Sequence, residues 1–127
     1  MAEHASSILI ADDEPHILRA LGFILENEGY QLHYAMDGEE ALALAREHHP
    51  QLAILDIMMP ALDGFQVCRR IKEDRDLQDM AVIFLTAKGQ DSDYKQALAL
   101  GARQYLTKPF SPSEVVQVVR SLVHPRS

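Results

Sequence analysis

Four short apolar runs in this chain each finish on a polar residue of a different chemical kind. Ile8-Leu9-Ile10-Ala11 runs into Asp12-Asp13, Leu52-Ala53-Ile54-Leu55 into Asp56, Val82-Ile83-Phe84-Leu85 into Thr86, and Tyr105-Leu106-Thr107 into Lys108. Brought together, these ends would make a site of three carboxylates, a hydroxyl and an ammonium. Two carboxylates about 4 Å apart repel by roughly 4 kcal/mol at an effective dielectric of about 20, so three together call for a cation or for raised pKa values. An all-oxygen set without His or Cys suits a hard ion: Mg2+ first, Mn2+ as the alternative. Such an ion accepts a few carboxylate or carbonyl ligands plus waters and leaves room for a phosphate. Lys108 would bring a mobile positive charge and Thr86 a hydroxyl donor. That combination meets the needs of phosphoryl transfer, which are positioning and charge neutralisation, with a carboxylate at hand as nucleophile.

The elements that must carry these residues are legible from pattern. Apolar strands alternate with longer segments of helical period, the mark of repeated strand-helix-strand units and a parallel sheet. The first helix is expected to open near Glu14-Pro15, to bury Ile17, Leu21, Ile24 and Leu25, and to stop at Gly29. Gln31 to Ala35 reads as a strand, and Asp37, with Glu40 three residues on, as the cap of a helix ending before Pro50. Leu52 to Asp56 and Ala81 to Thr86 are further strands, separated by a helix carrying Phe65, Cys68 and Ile71 on one face. Asp91 or Ser92 would cap a helix containing Tyr94, Ala97 and Leu98, which Gly101 ends before a strand from Gln104 to Thr107. Ser111 opens the last helix, lined by Val115, Val118, Val119 and Leu122. Helices on both faces imply a doubly wound α/β sheet. Its common strand orders place the first and third strands at the switch point where ligands bind, so Asp12, Asp13 and Asp56 should border that crevice.

The bulk numbers agree with one soluble domain. The 127 residues, net charge of −7 and 47% hydrophobic content are those of an ordinary globular chain, and no apolar run nears the roughly 20 residues of a membrane span. Residues 1–127 are expected to form a single domain with its core at about 7–123. Met1 to Ser7 lacks the basic and apolar segments of a secretory leader, so a cytoplasmic location is expected. The lone Cys68 excludes an intramolecular disulfide and multi-cysteine metal sites. The twelve Lys and Arg are dispersed, so direct nucleic-acid contact by this domain is not expected.

Taken together, Ile8-Leu9-Ile10-Ala11-Asp12-Asp13-Glu14-Pro15, Leu55-Asp56-Ile57-Met58-Met59-Pro60-Ala61-Leu62-Asp63-Gly64-Phe65, Phe84-Leu85-Thr86-Ala87 and Tyr105-Leu106-Thr107-Lys108-Pro109-Phe110 resemble the receiver domains of two-component response regulators, those of the chemotaxis regulators included. The resemblance spans nearly the whole chain in order. It implies a flavodoxin-like three-layer sandwich, with five parallel strands in the order 2-1-3-4-5 and five helices. It makes Asp56 both the phosphoacceptor and a Mg2+ ligand, Asp13 a direct Mg2+ ligand, Asp12 a ligand mainly through water, and the Met58 backbone carbonyl a further ligand. Lys108 would contact the phosphoryl group, ahead of a cis bond to Pro109. Thr86 would swing toward the phosphoryl oxygens and Tyr105 would turn inward, changing an output face of helix 4, strand 5 and helix 5. Met58 and Lys88, each two positions beyond a site residue, would set how fast water reaches the acyl phosphate.

By that resemblance the chain is a phosphorylation switch, not a metabolic enzyme, catalysing only its own phosphorylation and dephosphorylation. Its implied partners are a sensor histidine kinase or phosphotransfer protein and an output domain or downstream protein, with no membrane contact, as a monomer or a weak phosphorylation-dependent dimer. Where winged-helix regulators commonly carry two acidic residues, this chain has Arg103-Gln104, which removes the acidic half of a charge pairing across their dimer. A haloacid-dehalogenase-type phosphatase would want a second aspartate where Met58 stands, and no glycine-rich phosphate loop follows any strand. Taken singly, the residues have plainer readings: Asp12 and Asp13 as helix caps, Thr86 as a strand end, Tyr105 as an edge aromatic. His48 and His49 read as a solvated helix end, and Cys68 as a small core residue.

Overall fold

The computed structural model describes residues 6–87 and 91–123. Strands β1 (Ser7–Ala11), β2 (Gln31–Ala35), β3 (Leu52–Asp56), β4 (Ala81–Ala87) and β5 (Gln104–Lys108) alternate with helices α1 (Pro15–Asn27), α2 (Gly38–His48), α3 (Gly64–Glu73), α4 (Asp91–Ala99) and α5 (Pro112–Leu122). All pairings are parallel and the strand order is β2-β1-β3-β4-β5, as the resemblance implied.

Burial on both faces explains why the central strands read as unbroken apolar runs rather than alternating ones. Leu9, Ala11, Ala53, Leu55, Val82 and Phe84 point to the layer holding α2, α3 and α4. Ile8, Ile10, Leu52, Ile54, Ile83 and Leu85 point to the layer of α1 and α5. Phe65 of α3 meets Phe84 edge-on, with centroids 5.1 Å apart. The far end of α5 is tied to the start of β2: the Tyr30 hydroxyl donates to the Val123 carbonyl at 2.6 Å, and Arg120 pairs with Glu28 at 2.6 Å.

Helix starts follow the side chains that satisfy their first N–H groups. Asp37 accepts from Glu40, while Asp63 with Gln66 and Ser111 with Glu114 form reciprocal capping boxes. Several expectations need correction. Leu18, unremarked in the sequence, is buried in α1, whereas Ile17 and Ile24 are only partly covered. Leu98 is 48% exposed, because Ala97 and Leu100 supply the inward positions around it. Asp91 opens α4, and the side chains of Asp91 and Ser92, expected as its cap, lie outside the described residues. His48 and His49 are exposed at the end of α2, as expected, and the His48 ring also stacks on His33 of β2, centroids 3.8 Å apart. Strands β4 and β5 each run one residue beyond their expected ends. Lys88 and the side chain of Tyr94 lie outside the described residues.

The loop between β3 and α3 is braced against α2, since the Gly38 N–H donates to the Pro60 carbonyl at 3.2 Å. A Cβ on Gly38 would collide with the backbone carbonyl of Leu62. Gly38→Ala is therefore expected to destabilise the fold by about 1–3 kcal/mol, read as a lower urea midpoint, with an unchanged midpoint counting against this brace.

Candidate functional site

Register delivers the polar residues to one edge. Ala11 pairs with Leu55, Asp56 with Leu85, Thr86 with Thr107 and Ala87 with Lys108, so the residues ending β1, β3, β4 and β5 stand side by side. Asp12 is fully buried, Asp56 and Thr86 nearly so, while Asp13 is exposed. Asp12, Asp13 and Asp56 each offer a carboxylate oxygen, and these oxygens all lie within 4.8 Å of one another.

Lys108 is the centre of charge. Its Nζ lies 2.9 Å from Asp12 Oδ2, 3.4 Å from Glu14 Oε1 and 3.5 Å from Asp56 Oδ2. Asp12 Oδ1 accepts the Glu14 backbone N–H at 2.8 Å, an Asx-type turn ahead of α1 rather than a helix cap, since Glu14 itself holds the N-cap position. Oδ2 is buried and meets the ammonium as an ion pair. A buried carboxylate oxygen so placed, with two further carboxylates beside it, fits a hard divalent cation. Asp56 Oδ1 accepts the Met58 N–H at 3.3 Å, and the peptide bond from Lys108 to Pro109 is cis. The Met58 side chain is 76% exposed and Tyr105 38% exposed.

Burial, then the charge of Asp12, pushes the Asp56 carboxyl up to about 6, against the opposing pull of Lys108 and the Met58 N–H. The ammonium shifts the other way. Burial alone would lower the Lys108 pKa, but Asp12, Asp56 and Glu14 together outweigh it and hold the pKa above its usual value.

Residues 8–120 match the family described as the response regulator receiver domain. The chain belongs to that family. Its receiver fold is shared with a putative response regulator from Chloroflexus aurantiacus, with TM-score 0.90, 32% identity, and coverage of 94% of this chain and 98% of that one. The chemotaxis protein CheY4 of Vibrio cholerae is also similar, at TM-score 0.88 and 26% identity over 94% of this receiver and all of its own chain. Among curated proteins, the response regulator GtcR of Aneurinibacillus migulanus is 47% identical over 92% of this chain and 47% of its own length. The alkaline phosphatase synthesis transcriptional regulatory protein PhoP of Bacillus subtilis is 42% identical over 91% of this chain and 48% of its own length. The receiver thus spans about half the length of the curated relatives it matches.

The structure brings together Asp12, Asp13, Asp56 and Lys108, and sets Thr86 at the same strand-end edge. Glu14 was not singled out from sequence, although its place directly after Asp12-Asp13 and before the first helical proline marks it as a residue at the same edge.

The Asp56 shift makes a signed prediction. The folded carboxyl, at about 6, binds its proton more tightly than the unfolded one at 3.8. This favours the metal-free fold below about pH 4 and is lost as pH rises through about 6. Asp56→Asn stays neutral throughout. Its stability relative to the native chain should grow by up to about 3 kcal/mol between about pH 4 and pH 7.5 in chelator, measured by urea unfolding; a flat difference would rule the shift out.

Proposed function

We propose that Asp56 is the phosphoacceptor of a receiver domain making up the chain's core at about 7–123, and that a histidine kinase or phosphotransfer protein is its donor. The observation that carries this is the meeting of one ammonium with the buried carboxylates of Asp12 and Asp56 at the carboxyl edge of a parallel sheet. A carboxylate oxygen of Asp56 attacks phosphorus, a P–O bond forms, and the P–N bond of the donor phosphohistidine breaks with its electron pair going to the imidazole. Asp12, Asp13, Asp56 and the Met58 carbonyl would hold Mg2+ or Mn2+, which when bound neutralises phosphoryl charge. Lys108 orients and neutralises a phosphoryl oxygen, and the Thr86 hydroxyl offers it a donor.

The new group adds charge and acceptor oxygens, so Lys108 and Thr86 gain partners in the phosphorylated state alone. Differential contacts of that kind shift a two-state surface. We place the readout at Tyr105 with α4, β5 and α5, acting on an output domain or downstream protein. The domain would work in the cytoplasm, catalyse only its own phosphorylation and dephosphorylation, touch no nucleic acid directly, and stay a monomer or weak phosphorylation-dependent dimer.

Incubation with magnesium and acetyl phosphate should add one phosphoryl mass to the native chain and none to Asp56→Asn; an adduct that survives the substitution, or none on either, would sink the reading. Met58 and Lys88 are proposed to govern water access to the acyl phosphate. Replacing both with Ala is expected to change the dephosphorylation rate several-fold, and an unaltered rate would remove them from that role.

A further inference from the structure

Glu14 holds the N-cap position of α1, yet its side chain serves a different end from the caps of α2, α3 and α5. Asp37, Asp63 and Ser111 each accept a backbone N–H of their own helix. Glu14 makes no such bond, and its Oε1 instead accepts from Lys108 Nζ at 3.4 Å. Its backbone is fixed on both sides. The N–H donates to Asp12 Oδ1 at 2.8 Å, and the carbonyl accepts from Ile17 and Leu18 at 3.0 and 3.4 Å. The side chain is 50% exposed, so it can leave Lys108 without disturbing that backbone.

An ammonium has three protons to donate, and here three carboxylates surround it. Asp12 and Asp56 are buried parts of the site itself, whereas Glu14 approaches from the rim. Phosphoryl oxygens arriving on Asp56 need the same protons. We propose that Glu14 is a positioning residue that restrains Lys108 in the unphosphorylated arrangement and so slows phosphoryl uptake; this rests on the phosphoacceptor reading of Asp56. A contact made in one state only biases the equilibrium toward that state. Removing it raises the free energy of the unphosphorylated chain and leaves the phosphorylated chain as it was. Uptake therefore quickens, while loss of the phosphoryl group keeps its rate.

The test compares the native chain, Glu14→Gln and Glu47→Gln, the last being a distant, exposed carboxylate that controls for net charge. Uptake from acetyl phosphate at saturating magnesium and loss after donor removal are followed by intact mass. Side-chain NMR of Lys108 is recorded without metal or donor. For a half-exposed pair the expected gain in uptake rate for Glu14→Gln is about threefold to fivefold, with unchanged loss, a displaced Lys108 resonance, and no effect of Glu47→Gln. Unchanged uptake overturns the proposal. So does faster uptake with an unmoved Lys108 resonance, an equal effect of Glu47→Gln, or an equal change in loss, because each assigns the effect to something other than a restraint on Lys108. A native chain that takes up no phosphoryl group overturns the phosphoacceptor reading first and this proposal with it.

Discussion

One ammonium makes the rest of this site tolerable. Asp56 is buried beside Asp12 at the ends of adjacent strands, where desolvation and the neighbouring charge both oppose its ionisation. Lys108 approaches both carboxylates closely and offsets part of that cost. The compensation is incomplete, as the raised Asp56 pKa records. A site left in this condition gains from any further cation.

Everything else in the fold works to hold those charges in place. Parallel register sets the depth of each strand end, so the polar side chains are aligned by backbone hydrogen bonds rather than by their own attraction. The ladder continues just past the strands: the Asp12 N–H donates to Ala35 at 3.1 Å and the Ile57 N–H to Leu85 at 3.2 Å. The loop after Asp56 is clamped twice, by Gly38 on Pro60 and by the Gly64 N–H on the Ile57 carbonyl at 2.9 Å. Met58 sits inside that clamp with its backbone directed and its side chain outside.

The strand ends were readable because a strand buried on both faces must be apolar until it reaches solvent, so the first polar residue marks the edge. Asp12, Asp56 and Thr86 followed that rule without help, and the strand order followed from the family resemblance. What stayed hidden depends on contacts between distant segments. Glu14 looks like a helix-start residue until Lys108, far away in sequence, is placed beside it. The stacking of His48 on His33 is invisible until the edge strand brings the two rings together. Leu98 has the spacing of a core residue, but a short helix over a sheet edge has only a narrow inward stripe, and Ala97 and Leu100 fill it.

The two halves of the core do not become available to a growing chain at the same time. Among the described residues, the layer of α2, α3 and α4 draws on none later than Ala102, whereas the opposite layer needs Val115, Val119 and Val123. The bond from Tyr30 to Val123 closes it across 93 residues. As the chain leaves the ribosome, Ile8, Ile10, Ile54 and Ile83 are therefore roofed by α1 alone until the eleven residues of α5 have emerged. α5 is thus the piece that seals this face of the sheet, and the core of the receiver cannot be completed until α5 has been made.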